Sequence, residues 1–249
     1  MRLASALIVF GLIALKADPA GAQDLGDTLS ALLEGETSLT SRAFQIIALI
    51  TILSLAPGIA VTVTCFPFIV TVLSILRTGL GLQASPPNML IVSLALFLTY
   101  FVMEPIFLES WEVGLKPIVD EEVSLEVGLQ NALDPFRVFM TARTDPETIS
   151  RLAELRYRDT LQGFDPENPR LSVLVPAFML NEIERAFQIG FLIFFPFLII
   201  DLVVAAILMS MGMMMVPPAI VSLPFKLAFF VVADGWTLVA ETLVSGYTS

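Results

Sequence analysis

The sequence predicts an all-α membrane protein of long, kinked helical hairpins carrying a helical insert outside the membrane. Three observations predict it. Hydrophobic residues make up 56% of the 249, charged residues only 15%, and the mean hydropathy is +0.85, a profile foreign to soluble globules. The apolar runs are too long for strands and lack the polar alternation of a barrel. Charge gathers instead in one segment, residues 104–185, which holds sixteen acidic and eight basic residues.

The same composition narrows function. A formal net charge of −11 leaves no basic face for phosphates, so nucleic acid is not a partner. There is no histidine and one cysteine, Cys65. That excludes a zinc site, an intrachain disulfide and imidazole-based catalysis, and makes Cys65 a small packing residue. Gly79-Leu80-Gly81-Leu82-Gln83-Ala84 spells a dinucleotide fingerprint. It follows an apolar run and precedes Pro86-Pro87, which would break the required helix, so no cofactor is expected.

The elements follow in order. Met1-Arg2, the apolar run Leu3–Leu15 and Ala20-Gly21-Ala22 make a secretory signal peptide over 1–22, cleaved between Ala22 and Gln23. Its apolar run is too short to span a membrane core of ~30 Å. Residues 23–42 form a polar segment. The N-terminal apolar helices occupy 43–103. No charge lies between Arg42 and Arg77, and those 34 residues would make a helix of roughly 50 Å. Pro57-Gly58 and Pro67 therefore kink, tilt or split it. Ser85-Pro86-Pro87 restarts the chain before the apolar run Met89–Met103.

Residues 104–185 read as the acidic extramembrane helical insert. Leu125, Leu129, Leu133, Phe136 and Met140 share one helical face, and Asp145-Pro146 caps a second helix running toward Arg158. Residues 186–249 return to apolar character as a C-terminal hairpin. Its turn, Met211 to Pro218, reads MGMMMVPP. Gly212, Pro217 and Pro218 make the turn, while Met211, Met213, Met214 and Met215 give it a soft apolar surface where polar residues are usual. A signal peptide that sets residue 23 outside puts the insert on the outer face and Arg77 inside.

Charges inside this hairpin are paired or functional, because an ionisable group in an apolar run is costly. Asp201 and Lys226 lie equally far from a centre at residues 213 and 214, and so do Arg185 and Glu241. Antiparallel arms bring such positions level, which predicts two structural charge pairs. The alternative is an ion-coupled small-solute transporter that uses intramembrane Asp201, a fold that would show internal repeats.

Residues 85–105 (SPPNMLIVSLALFLTYFVMEP), 176–191 (PAFMLNEIERAFQIGF), 196–203 (PFLIIDLV) and 208–236 (LMSMGMMMVPPAIVSLPFKLAFFVVADGW) resemble the FliP family of flagellar and related type III export gates. Cys65-Phe66-Pro67-Phe68 stands where that family carries Ser-Phe-Thr-Arg, and Asn181 where Ser or Thr is expected. The signal peptide resembles the flagellar branch. The resemblance implies a non-enzymatic gate subunit of the flagellar basal body in the bacterial inner membrane, with its insert on the periplasmic side. It implies a helical ring of five copies with FliQ-like and FliR-like subunits, further FlhA-like and FlhB-like export components, and unfolded protein cargo. The methionine turn would then form the channel gasket.

Overall fold

The computed structural model describes residues 39–82, 85–157, 169–213 and 215–248; Ala22, Gln23 and Met214 lie outside them. Among the described residues every regular element is helical. By contacts the chain divides into two units, Met1–Pro57 and Gly58–Ser249. Everything below apart from α1 (Leu39–Thr62) belongs to the second unit.

The first apolar run breaks at residues 63–65, with Pro57-Gly58 running on inside α1. Two threonines make the break: the hydroxyls of Thr62 and Thr64 donate back to the carbonyls of Ile59 (2.7 Å) and Val61 (3.0 Å). Pro67 then opens α2 (Phe66–Gly79) from its first turn, where a missing N–H costs no hydrogen bond. α2 is the centre of the larger core. Cys65, Phe68, Ile69, Val72, Leu73 and Leu76 are all buried, against Ala95 and Met103, Ala186 and Phe197, Phe230, and Leu243 from later helices.

α3 (Asn88–Ser110) passes through a π-helical turn (Trp111–Leu115) into α4 (Lys116–Val119), a continuous stretch of 32 residues. α7 (Leu171–Ser210) runs for 40 residues, and α8 (Pro218–Val232) meets α9 (Gly235–Thr248) at a bend of 63°. By length and composition the first two suit a membrane crossing, and the bent pair makes a third if it counts as one span. Two close approaches seat α2 on α7. A Cβ at Gly190 would lie 2.5 Å from Ile75 Cδ1, and one at Gly79 would lie 2.9 Å from the Phe194 ring.

The insert contributes α5 (Leu125–Arg143) and α6 (Pro146–Arg156). Asp145 caps α6 by accepting from the Glu147 amide at 3.2 Å, with Pro146 in the first turn. The buried face of α5 differs from the leucine stripe expected. Of that stripe Leu125, Leu129 and Leu133 are exposed, Phe136 is half-buried and Met140 is buried, while Gly128, Ala132 and Pro135 are buried where the leucines are not. Close backbone approach decides this. A Cβ on Gly114 would come within 2.5 Å of the Ala132 backbone, one on Gly128 within 2.2 Å of Ile118, and Ser110 Oγ donates to the Ala132 carbonyl at 2.7 Å. Met140 joins a second core with Ile149, Ala153, Leu174, Ala177 and Phe178. The change in charge near residue 185 marks no structural boundary, because α7 runs straight through it.

Candidate functional site

The methionine turn is a left-handed helix stop. The amide of Met213 donates to the Leu208 carbonyl (3.0 Å) and that of Gly212 to the Met209 carbonyl (3.1 Å), while Gly212 sits at φ +74°. These are the two hydrogen bonds of a Schellman ending, which satisfies the last carbonyls of α7 and needs a residue that tolerates positive φ. A Cβ at Gly212 would meet nothing within 4 Å, so the glycine is set by its backbone angle and not by crowding. Pro217 caps α8 and Pro218 begins it. Around this turn the described methionines face outward: Met215 is 97% exposed, Met211 65% and Met213 38%.

About three turns below the tip, a polar cluster ties the arms together. Lys226 Nζ donates to Asp201 Oδ2 at 2.6 Å and to the Gly79 carbonyl at 3.0 Å, and Ser222 Oγ donates to Asp201 Oδ1 at 2.5 Å. The ammonium is almost wholly buried, while about a third of the Asp201 side chain remains exposed. Ser222 and Gly79 add what the charge pattern did not reveal. The lysine also satisfies a carbonyl at the C-terminus of α2, where the helix leaves it without an internal partner. Three helices meet at one cation.

Farther down, the arms are joined by a different set of groups. Glu182 in α7 is fully buried, Tyr247 in α9 donates its hydroxyl to Glu182 Oε2, and Arg143 Nε approaches Glu182 Oε1 at 3.4 Å. Arg143 also lies 4.0 Å above the Tyr247 ring and donates to the Gly246 carbonyl. Tyr247 packs edge-on against Phe68 and stacks with Phe139. Insert, long arm and C-terminal helix therefore share one buried ionic group.

The FliP family profile matches residues 49–243. The chain belongs to the FliP family. A flagellar biosynthetic protein FliP of Caulobacter vibrioides is 46% identical over 99% of this chain and 92% of its own. The protein of that name from Rhizobium meliloti is 44% identical over 92% of this chain and 93% of its own, and the one from Bacillus subtilis 44% over 83% and 93%. Membership makes the chain a membrane component of the flagellar export apparatus and not an enzyme.

Within this FliP-family hairpin, Arg185 and Glu241 form no ion pair among the described residues; Arg185 is half-buried and Glu241 exposed. The bend explains it. Asp234 takes φ +49°, and Gly235 lets the Phe230 ring come within 2.2 Å of where a Cβ would stand. There α9 turns away from the line of α8 by 63°, so equal distance from the turn no longer decides which side chains meet. Glu182 and Tyr247 supply the lower contact instead. Sequence reasoning missed them because tyrosine carries no charge and Glu182 sits in the charged insert segment.

Proposed function

We propose that this chain is a core subunit of the gate through which unfolded flagellar proteins cross the inner membrane, with Met211, Met213, Met214 and Met215 as its channel seal. The observation that carries the reading is an outward-facing methionine tip on a hairpin fixed by buried ion pairs. Soft thioethers adapt to any passing sequence, and a narrow apolar ring resists wetting and so blocks ions. Five copies in a ring, together with FliQ-like and FliR-like subunits, would bring the tips to one axis, with FlhA-like and FlhB-like components completing the apparatus. Support for neighbouring subunits comes from α7, where Phe187, Phe191, Leu192 and Leu202 are each about 60% exposed or more. The insert then faces the periplasm, the mature chain begins at Gln23, and the Asp201–Lys226 pair clamps the two arms together below the tip.

A solute-coupling role for Asp201 is disfavoured, because both its carboxylate oxygens already accept from Lys226 and Ser222. The test is replacement of Met213, Met214 and Met215 by alanine in the assembled complex. The expected outcome is normal assembly, retained cargo export and a raised membrane conductance to small ions. A variant complex that assembles and leaks no more than the wild type refutes the seal.

A further inference from the structure

We propose that the groove between α2, α3 and the start of α9 binds one anionic phospholipid, with its phosphate at Arg77 and an acyl chain along the apolar floor. The groove is a cavity of about 320 Å³. Leu73 and Leu76 form its floor, Leu90 and Leu94 one wall and Trp236 the other. Arg77 is the single charged group in the lining, and it is also the one charge between Arg42 and Glu104.

The placement of that charge argues for a lipid. α2 ends at Gly79 and α3 begins at Asn88, so two apolar helices terminate together at the groove's mouth. From there the lining descends along both helices, from Leu80 back to Leu73 and from Pro86 on to Leu94. On α2 that is about 10 Å of helix, enough for a good part of an acyl chain. A cation at the level where apolar helices end, beside a half-exposed tryptophan, is the arrangement that meets a headgroup. Arg77 Nη1 is held by the Pro86 carbonyl at 3.5 Å and by Asn88 Oδ1. A planar guanidinium fixed through one nitrogen still offers donors to a phosphate. A zwitterionic lipid would place its own cation beside Arg77, so the groove selects for net negative charge.

Trp236 is a built-in reporter. Full-length protein carrying Trp111→Phe, which leaves Trp236 as the sole tryptophan, is reconstituted into phosphatidylcholine vesicles. Either brominated phosphatidylglycerol or brominated phosphatidylcholine is added at equal mole fraction, and quenching is titrated. The expected result is about fivefold stronger quenching by phosphatidylglycerol, the preference one basic side chain confers at an anionic surface. Arg77→Lys should keep most of that preference and Arg77→Gln should abolish it, with melting temperatures confirming that both variants fold. Equal quenching by the two lipids overturns the proposal, as does a phosphatidylglycerol preference that survives Arg77→Gln. Quenching by neither lipid overturns it too, since the groove would then be covered by protein.

Discussion

Replacing one member of the Asp201–Lys226 pair should cost more when the aspartate goes than when the lysine goes. In Lys226→Met the isosteric thioether fills the space, Asp201 keeps Ser222, and its side chain, about a third exposed, keeps part of its hydration. In Asp201→Ala a 95% buried ammonium is left with only the Gly79 carbonyl. Breaking a buried pair costs ~3–5 kcal/mol when the remaining charge is fully desolvated. We therefore expect about 3–4 kcal/mol for Asp201→Ala and, after discounting for solvent at the aspartate, about 2 kcal/mol for Lys226→Met. For a chain of this length that corresponds to melting temperatures lower by roughly 6–16 °C and 4–8 °C respectively. The assay is thermal unfolding in detergent followed by tryptophan fluorescence. The double variant Asp201→Ala/Lys226→Met removes both charges and should recover part of the loss, a coupling of at least ~1 kcal/mol. Additive single losses, or a lysine variant worse than the aspartate variant, would refute the pairing as the source of stability.

Tyr247→Phe should lower the melting temperature through loss of its hydroxyl bond to buried Glu182, worth about 1–3 kcal/mol, while keeping the ring contacts with Phe68 and Phe139. Tyr247→Ala should be clearly worse, and equal effects would show that the ring alone matters. Gly114→Ala drives a methyl into the Ala132 backbone at 2.5 Å and should loosen α5, read as faster proteolysis of the insert. Gly246→Ala, which meets nothing within 4 Å, is its tolerated control. N-terminal sequencing of membrane-extracted protein should begin at Gln23, and a sequence starting at Met1 would sink the signal-peptide reading.

Helical class and the Asp201–Lys226 register were legible in the sequence because both rest on long-range regularity: unbroken apolar runs, and two charges symmetric about a turn. Other features resisted reading for specific physical reasons. Gly79 enters the polar cluster through a carbonyl that every residue possesses, so nothing marks it in the sequence. On α5 the leucines at 125, 129 and 133 give the stronger periodic signal, yet Gly128 and Ala132 win the buried face, because they and Gly114 in the facing π-helical turn allow close backbone approach. Arg185 and Glu241 obeyed the same symmetry as the inner pair, but only an unbent hairpin would honour it, and the stop at Asp234 owes to a positive φ that an aspartate in an apolar run does not by itself announce.

The unbroken course of α7 has a mechanical consequence. Its 40 residues span about 60 Å, from the core of the insert at Val173 and Leu174 to the Schellman stop beneath Met213. A helix resists axial compression far better than a loop does, so a push on the insert reaches the tip as a strut would deliver it. Its hydrogen-bond ladder is interrupted at Pro176 and Pro196, where the ring removes an internal hydrogen bond. Pro196 lies just over one turn from Asp201, so whatever bends there works directly against the clamp on Lys226. Displacement of the insert and the position of the tip are in this way geared to one another through a single continuous element.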